Sequence, residues 1–333
     1  MRIFLLLLVL FIGQRAGAQF MGITSRGGTS GLGVLYEYDP VRGTFAPTYH
    51  FESRNSGESP ARTQFLKASD GLLYAVASGG ANNAGVVFSY DPVANTYNKE
   101  ADFNNATGTF PKCYLVTHPN GKIYGITSEG GANGSGGIFE FDPLAGTLLA
   151  KKLFTRLVAG ETYCDGMVAG QDGRLYGTLT RLDPDLVAEI FSYDPLLNLY
   201  TTLYKFQTEE TGPPDGVMHL LPDGTFIGTT RSGGSANRGT IFHFDPVSNT
   251  VTRKFEFSDS LGSSPTGFLT AHPDGSLYGV TKRGGLHDHG VIFQYDPASD
   301  AYTRLADFTT GIEPVGRPVV GHNGKFYGLT RGG

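Results

Sequence analysis

The sequence has no tryptophan, only two cysteines and few charged residues. Charged side chains make up 17% of its 333 residues, and no run of like charges interrupts their dispersal. A nucleic-acid-binding protein normally concentrates positive charge, so a formal net charge of -5 argues against that class. Two cysteines cannot build a disulfide scaffold or a tetrahedral cysteine zinc site. No glycine-rich phosphate loop precedes a helix and no Gly-x-Ser-x-Gly elbow is present, so we expect no cofactor and no catalytic triad.

Glycine, in contrast, is abundant. The chain has 48 glycines, about twice the usual share of roughly 7%. Glycine costs about 1 kcal/mol in a helix interior, which excludes a helical bundle. The glycines do not recur at every third position, which excludes collagen. With 17 Tyr and 23 Phe to form a core, the composition predicts a turn-rich all-β protein.

Residues 1–18 resemble a secretory signal peptide. Arg2 precedes an apolar run from Ile3 to Ile12, and Ala16-Gly17-Ala18 provides small residues for cleavage after Ala18. The run of ten residues is shorter than the roughly 20 that a membrane-spanning helix requires. We therefore expect a secreted or cell-envelope protein, with no membrane span in the mature chain.

A unit of about 51 residues is repeated six times. The turn glycines of an Asp-Gly or Asn-Gly pair recur at steps of 49 to 52 residues, and Asp-Pro pairs recur at steps of 51 or 52. The spacing predicts a single domain over residues 19–333, with a partial seventh copy at 325–333. The turn glycines are Gly71, Gly121, Gly173, Gly224, Gly275 and Gly324.

Each unit contains four short apolar stretches, which we name strands A to D. In the fifth unit, Asp274-Gly275 separates strands A and B, and Asp296-Pro297 separates strands C and D. Aromatic residues alternate along strand C, as at Phe293 and Tyr295, so one face of the sheet is apolar. Glycine in strand B, as at Gly279, leaves room for a neighbouring backbone or ring. Sheets that must bury such faces against one another predict a β-propeller.

The two chain ends leave the closure of the ring open. Strand A at Arg317 to His322 could pair with strands B, C and D at residues 20–51, which would complete six blades. Residues 325–333 would then be a surplus copy. Either they displace Phe20 to Thr24, or the chain stops within a seventh unit of a longer protein with seven blades. We expect six four-stranded blades.

The repeat motif resembles a known family. From Leu277 to Phe308 the chain reads Leu-Tyr-Gly-x-Thr, Gly-Gly, Gly-Val-Ile-Phe-x-Tyr-Asp-Pro and Tyr-Thr-x-Leu-x-x-Phe. This pattern is similar to the GloVer-type tandem repeat of bacterial exported proteins and, more distantly, to kelch repeats. The resemblance implies a propeller without an established activity. The chain departs from kelch in having Tyr97, Tyr200 and Tyr302 near the position of the kelch strand D tryptophan.

The loops that join strand B to C and strand D to A lie on one side of a propeller, which we call the loop side. All length variation of the repeat falls on this side, so we expect a ligand to meet it. A ring of cations at the ends of strands B would attract an anion such as an acidic sugar; the alternative is a set of solvated strand ends without a partner. The candidates are Arg26, Arg181, Arg231, Lys282, Arg283 and Arg331.

Two further residue groups could form a metal site and a disulfide bond. His287-Asp288-His289 has the residue types of a transition-metal site, although the remaining ligands cannot be named. Cys113 and Cys164 occupy equivalent parts of successive repeats, so they could meet in a disulfide or remain two separate buried thiols.

Three functions remain open. The first is a non-enzymatic exported propeller that binds a partner protein or a glycan, with an anionic ligand favoured. The second is a carbohydrate-active enzyme resembling a polysaccharide lyase, with His287, His289 and the arginines as candidates. The third is a structural surface repeat without a specific ligand. A funnel with a histidine or carboxylate facing two arginines would favour the enzyme, and a plugged disc face would favour binding.

The cation ring yields a direct prediction. Replacing Arg181 and Arg283 with Ala is expected to weaken the binding of acidic glycans, because each change removes a charge from the loop side. Glycan-array binding of the mature chain measures the effect. Unchanged binding by the double variant would end the hypothesis that these arginines bind the ligand.

Overall fold

The computed structural model describes residues 20–60, 63–132, 134–154, 162–163, 166–181, 188–206, 212–310, 313–321 and 324–330. The predicted signal peptide and Arg331 lie outside these residues. Within them the chain forms 28 strands and one three-residue 3-10 helix, Arg54–Ser56. The described part contains no helix long and apolar enough to cross a membrane.

The strands form a six-bladed β-propeller, as predicted, with every strand pair antiparallel. Blade 1 has three strands in the described residues, and blades 2 to 6 have strands A to D in order. The first three blades are β1 (Phe20–Thr24), β2 (Val34–Asp39) and β3 (Thr44–His50); β4 (Leu66–Lys67), β5 (Leu73–Ala77), β6 (Val86–Asp91) and β7 (Thr96–Asp102); and β8 (Thr109–Pro111), β9 (Val116–Thr117), β10 (Ile123–Glu129), β11 (Gly137–Asp142) and β12 (Thr147–Leu153).

The remaining blades repeat this arrangement. In blades 3, 4 and 6, strand A is split into two short segments that both pair with strand B. These blades are followed by a two-stranded hairpin, which we call the terminal hairpin. The strands are β13 (Thr162–Tyr163), β14 (Met167–Ala169), β15 (Leu175–Arg181), β16 (Ala188–Asp194) and β17 (Leu199–Phe206); β18 (Pro214–Leu220), β19 (Phe226–Thr230), β20 (Thr240–Asp245) and β21 (Thr250–Glu256); β22 (Ser263–Pro265), β23 (Thr270–Ala271), β24 (Leu277–Arg283), β25 (Val291–Asp296) and β26 (Ala301–Asp307); and β27 (Pro314–Val320) and β28 (Phe326–Thr330) in the hairpin.

The terminal hairpin does not complete blade 1. Strand β27 pairs with β28, while β1 pairs with β2, so blade 1 and the terminal hairpin each keep their own copy of strand B and form separate sheets. The hairpin packs between blades 6 and 1. The ring centroids of Tyr278 and Phe326 are 4.3 Å apart on one side, and those of Phe20 and Tyr327 are 4.8 Å apart on the other.

Short polar sequences define the turns. The carboxylate of Asp91 accepts hydrogen bonds from the backbone amides of Val93 and Ala94 at 2.8 and 3.0 Å, which closes the turn between strands C and D. Asp274 likewise accepts from the amide of Ser276 at 2.8 Å, and Gly275 has a φ of 88°. Glycine therefore stands where a tight A-to-B turn needs a positive φ.

Glycine in strand B makes room for an aromatic ring of strand C. A Cβ atom added to Gly228 would lie 2.3 Å from Cζ of Phe242, a contact that real side chains do not make. The same approach occurs at Gly22, Gly125, Gly177 and Gly279, which confirms the expected close approach. At Gly328 of the terminal hairpin, an added Cβ would meet nothing within 4 Å.

The core lies between the blades. The strand C rings that lie opposite residues 75, 125, 177, 228 and 279 of strand B are almost completely buried in blades 2 to 6, with exposures of 0% to 1%. The preceding blade supplies the cover. Tyr302 of blade 6, for example, stacks on Phe255 of blade 5 at a centroid distance of 3.9 Å. No blade could bury this aromatic row alone. The buried strand C rings are Phe88, Phe139, Phe191, Phe242 and Phe293.

The contact between glycine and ring predicts a difference between two glycines of the same repeat position. Gly228→Ala is expected to destabilise the protein by about 1–3 kcal/mol, because the buried ring of Phe242 cannot move away. Gly328→Ala is the matched control and should change stability by less than about 0.5 kcal/mol. Denaturant-induced unfolding measures both, and equal midpoints for the two variants would contradict the packing argument.

Candidate functional site

One repeat position lines the propeller axis. Strand A is interrupted around Tyr114 in blade 3 and around Phe268 in blade 6, and the β18 and β27 ladders shift register around Val217 and Arg317. Each of these residues stands seven positions before a turn glycine. Such irregularities re-aim a side chain, here toward the axis. The six residues at this position, which we call the axis set, are Gln64, Tyr114, Gly166, Val217, Phe268 and Arg317.

The members of the axis set other than Gly166 line a cavity of about 270 Å³ in the centre of the disc. Isolated parallel β-bridges join the backbones of Tyr114 and Gly166, and those of Val217 and Phe268, between neighbouring blades. Tyr114 belongs to blade 3 and Phe268 to blade 6, so blades 4 and 5 separate them along the ring. Their ring centroids are 4.7 Å apart. This aromatic contact spans the axis and restricts the channel.

Arg317 is the cation of the axis set. It lines both the central cavity and an adjoining groove, and no Asp or Glu lines either space. Among the described residues its guanidinium has no ion pair and no side-chain hydrogen bond. Water reaches the side chain through the channel, yet the surrounding protein desolvates it and lowers the pKa of Arg317. An arginine remains charged under these conditions, so this is a place where an anion would be stabilised.

His219 lies in the same cavity as Arg317. Burial lowers the pKa of His219, and the positive charge of Arg317 lowers it further. The usual value is about 6.5, so the imidazole is neutral at pH 7. It can therefore accept a proton or a hydrogen bond from a molecule in the channel.

A groove of about 400 Å³ separates blade 1 from the terminal hairpin, and we call it the hairpin groove. Its aromatic wall is exceptional among the blades. Tyr36 and Tyr38 are only half-buried, although the corresponding rings of blades 2 to 6 are almost completely buried. Phe45 is 65% exposed and stands at the position where Tyr302 stacks on the preceding blade. Within the described residues the hairpin has no strand C or D over this wall.

The predicted loop-side cations are largely engaged with carboxylates. Nε of Arg231 lies 3.3 Å from Asp215, and Nζ of Lys282 lies 3.7 Å from the same residue. Arg283 lies 3.8 Å from Asp288 and 3.9 Å from Glu313.

The other members of the predicted ring give less information. Arg26 is exposed, the side chain of Arg181 falls outside the described part of the chain, and so does Arg331. Exposed ion pairs contribute only about 0–1 kcal/mol, so the paired cations stay accessible to a ligand. Their role in binding stays a prediction.

The proposed metal ligands line a separate pocket of about 270 Å³ with Lys282 and Arg283. The rings of His287 and His289 are 6.4 Å apart, and Nδ1 of His289 is buried with no hydrogen-bond partner among the described residues. Asp288 is already used in the loop, because it accepts a hydrogen bond from the amide of Gly284 at 2.8 Å. In the described residues no three His, Cys, Asp or Glu side chains are grouped to hold a metal. The metal site stays a prediction.

The cysteines can be compared only in part. Cys113 is buried, and its Sγ accepts a hydrogen bond from the amide of Ile126 at 3.2 Å. Cys164 lies outside the described residues, so the disulfide and the two separate thiols both stay predictions.

The sequence analysis did not select Arg317, Tyr114 or His219. A signal was available, because the residue seven positions before the turn glycine varies widely between the copies, whereas the turn glycine recurs in each. The orientation of that position toward the axis, however, depends on the irregularity of strand A.

Comparison with solved structures shows the same fold in proteins of low sequence identity. A proposed 6-phosphogluconolactonase from Bacteroides fragilis is 18% identical over 94% of this chain and 87% of its own, with a TM-score of 0.64. An oligogalacturonate lyase from Vibrio parahaemolyticus is 10% identical over 88% and 76%, with a TM-score of 0.59. A puromycin hydrolase is 14% identical over 91% and 47%, with a TM-score of 0.60. These likenesses concern the fold alone.

Among curated proteins, no sequence matches this one. The model of the Gloeobacter/Verrucomicrobia repeat, in contrast, matches residues 11–195 and again residues 188–333. This result confirms the resemblance read from the repeat motif. The chain therefore belongs to the family of proteins built from the Gloeobacter/Verrucomicrobia repeat.

Proposed function

We propose that this protein is an exported, non-enzymatic binding propeller whose ligand is an acidic glycan held with one carboxylate against Arg317. The observation that carries the proposal is the position of Arg317, an exposed cation that lines both cavities, with no Asp or Glu among the described residues that line them. The guanidinium of Arg317 can bind a carboxylate through two charge-assisted hydrogen bonds.

The hairpin groove supports a glycan as the ligand. It continues from Arg317 along blade 1 and offers the faces of Tyr36, Tyr38 and Phe45. Aromatic faces accommodate the apolar side of a sugar ring, while phenolic hydroxyls donate and accept hydrogen bonds. The distance from β1 to β3 is two strand spacings, about 10 Å, so the groove can take more than one sugar ring.

The loop-side cations fit this arrangement as an entrance. Asp215 lies at the loop-side end of β18, and Val217 and His219 follow it along the wall of the channel. Arg231 and Lys282 flank Asp215 and together outnumber its charge. A net positive mouth attracts an anion at long range, and Arg317 then holds it inside.

The shape of the centre also supports binding. Tyr114 and Phe268 meet across the axis, and the described residues that line the two cavities include no Asp or Glu, whereas glycoside hydrolysis generally uses a pair of carboxylates.

A second candidate function rests on His219. A neutral imidazole beside an arginine that holds a carboxylate could remove the proton α to that carboxylate, which is the first step of a lyase reaction. The oligogalacturonate lyase among the compared structures has this propeller fold. We rank this function second because no general acid with a favourable pKa is identified in the cavity.

The binding proposal predicts a loss of affinity when Arg317 is changed. Arg317→Gln should bind galacturonic acid oligomers about 10- to 100-fold more weakly, because a charge-assisted hydrogen bond contributes about 1.5–3 kcal/mol. Arg42→Gln is the matched control, since Arg42 is exposed on the opposite, turn side beside Asp39. Titration calorimetry measures the affinities, and an equal affinity of the Arg317 variant and the control would contradict the proposal.

The same substitution tests the arrangement around His219. Arg317→Gln should raise the pKa of His219, yet leave it below the usual 6.5, because burial is the larger cause of the shift. An NMR titration of the His219 ring measures this pKa. During the same experiments with galacturonic acid oligomers, ultraviolet absorbance from a new C4=C5 double bond would favour the lyase over the binding protein.

A further inference from the structure

A pocket of about 270 Å³ on the loop side is lined, among the described residues, only by charged side chains and histidines. Two imidazoles come from the loop that joins β24 to β25, and Glu313, which directly precedes β27, adds a carboxylate from another part of the chain. Neither Arg317 nor His219 lines this pocket, so it is separate from the cavities assigned to the glycan. The lining residues are Lys282, Arg283, His287, Asp288, His289 and Glu313.

The loop holds its two histidines in a fixed turn. Oδ1 of Asp288 accepts a hydrogen bond from the amide of Gly284 at 2.8 Å, and the carbonyl of Gly284 accepts one from the amide of Gly290 at 3.1 Å. Asp288 has a φ of 55°, so the backbone between the two histidines passes through the left-handed region. The backbone that carries His287 and His289 is therefore ordered in advance, which lowers the entropy cost of binding a ligand.

The distance between the two imidazoles matches a shared metal ion. A zinc–nitrogen bond is about 2.0–2.1 Å long, so the centre of a bound ring lies about 3.2 Å from the ion, and two rings on one ion are at most about 6.4 Å apart. The ring centroids of His287 and His289 are 6.4 Å apart, at this limit. The described ligating side chains are not grouped around one point, but His287 is exposed and can rotate toward His289.

His289 has an unused ligand atom. Its Nδ1 is buried and has no hydrogen-bond partner among the described residues. A buried polar atom without a partner is unfavourable, and a metal ion bonded to this nitrogen would supply one. The corresponding residue of blade 5 is Arg238, whose Nε lies 2.6 Å from a carboxylate oxygen of Asp259. This loop position therefore reaches the carboxylates that follow strand D, and in the pocket of blade 6 that carboxylate is Glu313.

Arg283 occupies the place of a cation between two carboxylates. Its guanidinium nitrogens lie 3.8 Å from Asp288 and 3.9 Å from Glu313. Both distances exceed that of a hydrogen bond, and the side chain of Arg283 is 60% exposed, so these ion pairs add little to stability. A divalent ion can therefore displace this arginine into solvent.

We infer that the pocket binds a Zn²⁺ ion through His287, His289 and Glu313, in place of the guanidinium of Arg283. Two imidazoles and one carboxylate are an established zinc ligand set, in which water takes the fourth position. Imidazole ligands favour zinc over magnesium and calcium, which prefer oxygen ligands. This site does not involve Arg317 and goes beyond the proposed function.

Titration calorimetry of the untagged full chain with Zn²⁺ tests the site. We expect one ion to bind per chain, and His287→Asn and His289→Ala each to bind it about tenfold more weakly or less, because each loses an imidazole ligand. Both substitutions introduce residues that this loop accepts in blade 2, where Asn82 and Ala84 stand at the same positions. The variants should therefore keep the unfolding midpoint of the unchanged protein.

Further variants test the other parts of the site. Glu313→Gln should weaken Zn²⁺ binding about threefold or more, and Arg283→Gln should strengthen it about threefold or more, because each changes the charge beside the ion. His272→Asn is the matched control with unchanged affinity, since His272 also lies beside a carboxylate, that of Asp274, but on the turn side. Arg317→Gln should likewise bind Zn²⁺ unchanged, so failure of the zinc site is distinguishable from failure of the glycan proposal.

Three results would overturn the inference. The first is the absence of Zn²⁺ binding, or equal Zn²⁺ binding by the unchanged protein and His287→Asn. The second is binding of Mg²⁺ or Ca²⁺ at least as tightly as Zn²⁺, because carboxylates and not imidazoles would then hold the ion. The third is equal or weaker Zn²⁺ binding by Arg283→Gln, because the ion would then not take the place of the arginine.

Discussion

The aromatic ring of strand C lying on the glycine of strand B is the contact on which this propeller depends. The ring fits only because the glycine has no side chain, as the Gly228 and Phe242 pair shows. Because the ring lies flat over the glycine, the neighbouring sheet can pack closely against it and bury it almost completely. Turns, loop lengths and the position of the axis all follow from sheets that pack in this way. Five blades combine the glycine with the ring, and blade 2 has the small residue Ala75 opposite Phe88.

The unusual surfaces of the molecule occur where this contact is incomplete. Blade 1 has the glycine and the ring, at Gly22 and Tyr36, but the terminal hairpin before it has no strand D to cover them. The result is the hairpin groove. The hairpin has the corresponding glycine, Gly328, and no ring of the described residues lies over it. Both features come from one fact, namely that β27 pairs with β28 and leaves β1 without a strand A.

The sequence analysis located strands well because each turn has its own signal. The segment Val291 to Tyr295, bounded by glycine and Asp-Pro, corresponds to β25, Val291–Asp296. The partner of the terminal strand A could not be predicted, since Phe20–Thr24 and Phe326–Thr330 are two copies of the same strand B and local pattern does not choose between them. The channel residues were missed for a different reason. Arg317 faces the axis because strand A loses its regular register there, and that irregularity arises from packing against neighbouring blades.

The loop-side cations and Arg317 differ in what a ligand gains from them. Arg231 and Lys282 already share Asp215 and remain in contact with water, so an incoming carboxylate replaces interactions that are nearly as favourable. Arg317 has no ion pair among the described residues and is partly desolvated by the protein around it, so the same carboxylate displaces no existing partner. His219 is coupled to this exchange because the charge of Arg317 contributes to lowering its pKa. A carboxylate at Arg317 offsets that charge and so favours the protonated imidazole, which in turn attracts the carboxylate. Occupancy of the site and the protonation of His219 therefore increase together, and this coupling distinguishes the channel from the exposed cations at its mouth.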